Sequence, residues 1–540
     1  MSASPAGTTE AAGPVGAQVV AEAARRRTLA IISHPDAGKS TLTEALALHA
    51  RAIRQAGHVH GKAGRAGVVS DWQEMERQRG ISISSAVLQL HAGEHVLNVL
   101  DTPGHADFSE DTYRVLAAVD AAVMLVDAAN GMEQQTRKLF AVCHHRRIPV
   151  ITVVNKWDRP GLEALAVLDD IAEATGLRPT PLNWPVGIAG DFRGVLDRRT
   201  GDYTRFTRTP GGASLATAQR MDAAAAAELE GAEWERAQEE DELLRATGGD
   251  FDPGSFLEHR STPVLFTAAV VNFGVGEVLS ALGELAPAPQ AQRGTDGRER
   301  ALPSPFSAQV FKVQSGMNPA HRDRLAFARI RSGSFERGMA VTNARTGRPL
   351  VLKHVQTVFG ADRQTVDQAW PGDVIGLVNA THVHVGDTLF QGPPVTFPPI
   401  PAFTPEHFGV AQALEVGHAK QFRQGLAALD AEGVVQVLHS ERRGRGEPVL
   451  AAVGPLQYEV AAHRMSREFH APLRIEPLPY SVVRLVDARD AALVDADRGS
   501  EVVFRSDGQA LALFTDRWRL ASFQRAHPDV ELAPVMASAD

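Results

Sequence analysis

Lys39 and Ser40 close the run Ser33-His-Pro-Asp-Ala-Gly-Lys-Ser40, which follows a short apolar segment and precedes an amphipathic stretch, Thr41 to Arg54. A loop of this kind at the start of a helix presents backbone amides to phosphate oxygens, and the helix dipole favours the negative charge. Lys39 would reach the outer phosphate oxygens, the Ser40 hydroxyl would coordinate Mg²⁺, and Thr41 would follow in the first helical turn. His34, Pro35, Asp36, Ala37 and Gly38 would wall the cradle. Ser33 stands where the general pattern has its first glycine, so by itself this run is also consistent with a chance helix start.

Asp101-Thr-Pro-Gly-His105 follows a second apolar run. Asp101 there can hold Mg²⁺ through water, and the amide of Gly104, beyond Thr102 and Pro103, can sense a γ-phosphate. Alone, the same residues read as an ordinary Pro-Gly turn. Asn155-Lys-Trp-Asp158 adds base selection. The Asp158 carboxylate can accept from guanine's ring N–H and 2-amino group, whereas adenine lacks that amino group and offers an acceptor at the ring nitrogen. Lys156 can pack its stem over the nucleotide beside Trp157, and Asn155 can tie the phosphate loop to the base loop. Three such motifs in this order, each beyond a buried strand, imply a GTP site. His105 then stands where other GTPases place a water-positioning glutamine, so it is the catalytic candidate, assisted by Lys39. Between the first two motifs, Arg77-Gln-Arg-Gly-Ile-Ser82 leads into an alternating strand. As a first switch, its Ser82 would sense Mg²⁺ and the γ-phosphate; a basic surface loop is the plainer reading.

Such motifs need rigid strand ends to hold them. The segments Leu29–Ser33, His95–Leu100, Ala121–Val126, Pro149–Val154 and Pro263–Phe266 are continuous apolar runs separated by amphipathic stretches, the pattern of a mainly parallel sheet covered by helices. Ligands bind beyond the carboxyl ends of such strands. The expected fold is multidomain α/β: a P-loop GTPase domain over 25–289, a small antiparallel β-barrel over 300–395, and an α+β C-terminal domain over 399–540. The Pro- and Gly-rich stretches near Ala286–Gly297 and Pro393–Pro405 serve as linkers. An insertion spans about 187–260, with a helical stretch from Met221 to Arg245, and residues 1–24 read as a mobile tail. In the last domain a helix is expected over Ala411–Leu429 and a strand over Glu432–Leu438.

Composition bounds the alternatives. With 540 residues, 44% hydrophobic and 22% charged, the chain is globular and large enough for about three domains. Its 55 basic against 64 acidic residues, a net charge of −9, argue against a DNA-coating protein. No apolar run reaches the roughly 20 residues that span a bilayer, and one cysteine, Cys143, fits a reducing cytoplasm. Cys143-His-His145, His58-Val-His60 and His382-Val-His384 lack the partners of a metal site. The basic clusters His321–Arg324 and Glu441–Gly446 read equally as RNA contacts or as solvated charged faces.

Ile32-Ser-His-Pro-Asp-Ala-Gly-Lys-Ser40, Ser70-Asp-Trp-Gln-Glu-Met-Glu-Arg-Gln-Arg-Gly-Ile-Ser-Ile83, Asp101-Thr-Pro-Gly-His-Ala-Asp-Phe-Ser-Glu-Asp-Thr-Tyr-Arg114, Met317-Asn-Pro-Ala-His-Arg-Asp-Arg324 and Val453-Gly-Pro-Leu-Gln457 closely resemble the bacterial peptide chain release factor 3 family, the class II release factors among translational GTPases. Ser33 and Ser82 are usual in that family. The resemblance, which covers roughly 25–535, implies a ribosome-bound GTPase that promotes departure of class I release factors, with GTP or GDP and Mg²⁺ as ligands and a monovalent cation held with the help of Asp36. It also implies that the Thr267-Ala-Ala-Val270 segment brings the amides of Ala268 and Ala269 to the guanine O6, although the family has Gly-Thr-Ala-Leu there, and Trp157 replaces the usual Leu or Met. A monomer is the default expectation. The nearest alternative is an elongation-factor-G-like translocase, which would require further domains; a GTP-dependent regulatory subunit that never meets a ribosome is the alternative of another class.

Overall fold

The computed structural model describes residues 14–52, 86–207, 215–315, 324–359, 362–380, 382–400, 404–444, 446–506 and 508–535. Ser82, the Ser70–Ile83 motif, Met317–Asp323, His58 and His60 lie outside these residues.

Helix α1 (Pro14–Ala24) occupies what composition alone suggests is a mobile tail. Its Ala-rich sequence favours helix, and Val19 and Ala23, four residues apart on one face, are both buried. The first sheet is built from β1 (Arg26–Ser33), β2 (Ala86–Ala92), β3 (His95–Asp101), β4 (Ala121–Asp127), β5 (Val150–Asn155) and β6 (Arg178–Pro181). Strands β7 (Asn183–Val186), β8 (Gly194–Asp197), β9 (Tyr203–Thr207) and β10 (Thr217–Met221) form a separate four-stranded antiparallel sheet in the insertion, and β11 (Ser261–Phe266) returns to the first sheet. Its spatial order is β2-β3-β1-β4-β5-β11-β6, parallel throughout except for the β2–β3 edge pair. Strands β1, β4, β5 and β11 are buried along their whole length, which is why they read as unbroken apolar runs. Helix α2 (Lys39–His49) starts two residues earlier than its amphipathic pattern suggests, immediately at the end of the phosphate loop. The helical stretch of the insertion is divided by Gly231, at φ 57, into Ala223–Glu230 and Ala232–Ala246.

The described strands between residues 307 and 390 form a curled eight-stranded antiparallel sheet around Val310, Ile330, Phe335, Ile375 and Leu389. It is fixed to the nucleotide domain rather than tethered. Arg26 donates to Asp373 at 2.8 Å, Thr28 and Asn98 donate to the Gly372 carbonyl at 2.7 and 3.1 Å, and Arg329 pairs with Asp120. Phe311, Leu325, Phe327 and Val374 share one buried cluster with Val115, Leu116 and Ala118 of the first domain.

The last sheet, also eight-stranded and antiparallel, carries the helices Ala419–Glu432 and Pro455–Arg467. The helix expected over Ala411–Leu429 therefore begins later: His407–Ala413 is a central strand paired with Val449–Ala452 and Leu473–Pro477, and that pairing overrides alanine's helical preference. Likewise Glu432 ends the helix, Gly433 turns at φ 78, and the following strand is Gln436–Ser440.

Candidate nucleotide site

The phosphate loop leaves β1 at Ser33, and Asp36 and Gly38 adopt left-handed backbone at φ 65 and 93. This alternation turns successive amides toward one concavity, the geometry of an anion nest. Only glycine suits position 38, since a Cβ there would lie 2.5 Å from the Asn155 Nδ2. Helix α2 has no side-chain cap on its first amides, which leaves them for a phosphate. Lys39 Nζ lies 2.6 Å from Asp101 Oδ1 with both side chains buried, while Asp101 Oδ2 and Ser33 Oγ are buried without a hydrogen-bond partner among the described residues. His34 is fixed by its amide donating to Thr136 Oγ1 at 3.0 Å and by its ring lying beside Glu133. Thr102 donates to the Ile31 carbonyl at 2.6 Å, and the Gly104 backbone sits against Pro35, so the two phosphate-facing turns are braced on each other.

Asn155 joins the loops at the sheet's carboxyl edge. Its Nδ2 donates to the Ala37 carbonyl at 3.0 Å, and its Oδ1 accepts from the Ala269 amide at 3.0 Å and the Thr267 hydroxyl at 3.3 Å. Lys156, at φ 66, pairs with Asp127 at 2.7 Å, which holds its stem along the site. Asp158 Oδ1 is buried with no partner among the described residues. An orphaned carboxylate oxygen is costly to bury and calls for a donor, which guanine's ring N–H and amino group supply. Trp157 is packed into the core: it is 1% exposed and meets Phe266 edge-on at 4.9 Å, and Trp184 also meets Phe266 edge-on at 5.3 Å. The amides of Ala268 and Ala269 are both taken, by the Phe273 carbonyl at 3.0 Å and by Asn155, so these residues shape the base loop rather than offering free donors to O6.

Beyond Gly104 the chain enters a single 3₁₀ turn, Ala106–Phe108, and then helix α3 (Ser109–Leu116). The His105 imidazole is partly exposed, with Nδ1 3.3 Å from both the amide and the Oδ1 of Asp107. The site thus has a loop of turned amides, a carboxylate beside its lysine, a buried unpartnered carboxylate oxygen at Asp158 and a histidine on the turn after Gly104.

Residues 24–288 match the elongation factor Tu GTP binding domain family, 305–392 elongation factor G domain 2, and 397–524 the class II release factor RF3 C-terminal domain. A peptide chain release factor 3 from Synechococcus elongatus is 44% identical over 95% of this chain and 94% of its own length. The chain belongs to the peptide chain release factor 3 family. Relatives of the same name from Symbiobacterium thermophilum and Gloeobacter violaceus are 44% and 42% identical over 93% and 96% of the chain. A solved structure from Thermus thermophilus shares the fold, with a TM-score of 0.69 at 22% identity over 90% of this chain and 72% of that one. As a member of this family, the protein is a GTP-hydrolysing factor of translation termination.

Sequence reasoning about this release factor missed three residues. Asp127 anchors Lys156; its signal was a carboxylate at the end of a buried strand, where an unpaired charge is costly. Asn183 exchanges hydrogen bonds with the backbone of Phe266 and so fixes the base loop from the insertion side. Asp107 bonds across to the C-terminal domain, at the Leu456 amide. In the basic cluster near residue 442, Arg443 pairs with the buried Glu501, while Arg442 meets Asp495 in a partly exposed pair. Cys143 is buried and its thiol is pushed up to about 12 by burial, and no metal-binding cluster occurs among the described residues.

Proposed function

We propose that the protein is a ribosome-stimulated GTPase that promotes the departure of class I release factors after peptide release, acting as a monomer in the cytoplasm on the ribosome and not on DNA or membranes. The observation that carries the nucleotide assignment is Asn155, which bonds both the phosphate loop and the base loop and so sets their spacing. The functional units are residues 25–289, 300–395 and 399–540.

In this reading the amides of Asp36 and of Gly38–Thr41 and the Lys39 ammonium bind the phosphates, which compete with Asp101 for Lys39. Freed of that partner, Asp101 joins Ser40 and Ser82 as the Mg²⁺ set, its unpartnered Oδ2 being the fitting donor. When bound there, Mg²⁺ would offset the negative charge of the phosphates. Asp36, at the lip of the loop, helps to hold a monovalent cation, and Asp158 selects guanine. His105 orients the attacking water, and Gly104 senses the γ-phosphate.

GTP turnover measured with and without ribosomes carrying a class I release factor tests the reading. His105→Ala should keep GTP binding but lose stimulated turnover by on the order of 100-fold, about 3 kcal/mol of barrier. Unchanged stimulated turnover removes His105 from this role, and indifference of the intact protein to ribosomes removes the ribosomal reading.

A further inference from the structure

Helix α4 is here the C-terminal domain's Pro455–Arg467, and it begins without a cap of its own. Its N-cap residue is Gly454, which has no side chain, and Gln457 serves the amides of Val453 and Gly454 instead. The missing cap comes from the nucleotide domain: Asp107 Oδ2 accepts the Leu456 amide at 2.7 Å, at the position where a helix's own capping carboxylate would bond. The positive end of the α4 dipole adds to the attraction.

Gly454 makes room for this contact. Its backbone, φ −148 and ψ 164, is open to any residue, yet a Cβ there would lie 2.2 Å from the Asp107 carboxyl carbon. Around the carboxylate, Phe108 packs in one buried cluster with Leu456 and Val460, and Arg114 of α3 donates to the Glu432 carbonyl at 3.0 Å. The turn that follows the γ-sensing glycine is therefore clamped by the C-terminal domain. The same Asp107 faces His105, through both its amide and its other carboxylate oxygen at 3.3 Å.

Resting on the reading of His105 as the water-orienting residue, we propose that Asp107 is its positioning residue, holding the imidazole in a resting orientation while it caps the C-terminal domain's helix, so that undocking of that domain frees His105 for hydrolysis. Asp107 cannot follow a moving His105 and keep its bond to Leu456 unless α4 moves with it. A ribosome that pulls the C-terminal domain off the turn thereby raises turnover.

The test is GTP hydrolysis by the full chain, with and without ribosomes, alongside guanine nucleotide affinity. Gly454→Ala pushes α4 off the carboxylate, and Asp107→Ala removes the cap from the other side. Each should raise ribosome-independent turnover roughly fivefold, the equilibrium shift expected from the loss of one helix cap, at unchanged GTP affinity. The ribosomal stimulation factor should fall accordingly, and the double variant should gain no more than either single one, because the Cβ then meets no carboxylate. Adding His105→Ala to Gly454→Ala should erase the gain. Ribosome-independent turnover that stays at the parent level in both single variants overturns the proposal, as does a drop in both rates, which would put Asp107 in the active arrangement. A gain that survives removal of the histidine overturns the route through His105, while His105→Ala alone separately tests the reading beneath it.

Discussion

Asn155→Ala should damage nucleotide binding more than any other single truncation at the base of the site. Asn155 is 2% exposed, and its side chain satisfies two buried backbone groups, the Ala37 carbonyl and the Ala269 amide, besides accepting from Thr267. A methyl group replaces none of these bonds. A buried backbone group left without a partner costs about 1–3 kcal/mol, so two of them amount to roughly 2–6 kcal/mol, part of which relaxation of the loops will recover. If about 3 kcal/mol of that falls on the organised site, guanine nucleotide affinity drops by about two orders of magnitude. Equilibrium titration with a fluorescent GDP analogue reads the loss, with circular dichroism confirming that the fold persists. The exposed neighbour Asn130, changed to Ala, serves as the control and should shift binding by less than ~0.5 kcal/mol. Gly38→Ala approaches the same bond from the phosphate side, since its Cβ would strike Asn155 Nδ2. Affinity within about threefold of the parent in Asn155→Ala would refute the claim that this side chain spaces the two loops.

In Asp158→Asn an amide donor replaces the unpartnered carboxylate oxygen and opposes guanine's amino group, so GTP should bind more weakly and xanthosine triphosphate better, as competition binding will read. Retention of the parent preference would remove Asp158 from base selection. Asp430 is driven up to about 6 by burial and by nearby Glu110, against the Val437 amide, Arg114 and Arg505. Because its folded pKa lies above the unfolded value, stability falls as pH rises from about 4 to about 6, a penalty of about 3 kcal/mol that is fully present above pH 6. Asp430→Asn should therefore melt higher than the parent at pH 7.5 and lose that advantage below about pH 4; thermal midpoints at pH 7.5 and near pH 3.5 decide it. Arg329→Ala should destabilise the junction of the first two domains by about 3–5 kcal/mol, because Asp120 then stays buried and unpaired. Urea unfolding reads this, and a change below ~1 kcal/mol would contradict it.

The strands that carry the site are legible because they are buried on both faces and so appear as unbroken apolar runs; β1, β3, β4, β5 and β11 fall where those runs lie. The strand His407–Ala413 was not legible. Its Ala, Gly and Gln residues have no strong strand preference, and only pairing on both sides makes it a strand. Residues 14–24 have valines as their only large apolar side chains, too little to announce a packed helix, yet burial of Val19 and Ala23 suffices once a surface is there to receive them.

The motif residues were set by chemistry that acts over a few consecutive positions, so Lys39, Asp101, His105, Asn155 and Asp158 could be named from the chain alone. Trp157 shows the limit: adjacent to Asp158 in sequence, it packs into the core, because the turn beyond the strand, with Lys156 at φ 66, sends the two side chains apart. Asp107 and Gly454 show it more strongly. One is the second residue after His105 and the other a helix N-cap 347 positions later, and nothing in either neighbourhood names the other. Local sequence determined the chemical groups of this GTPase; which domain's helix those groups would hold was decided by tertiary packing, because a cap supplied across a domain boundary depends on distance in space and leaves no period or spacing in the chain.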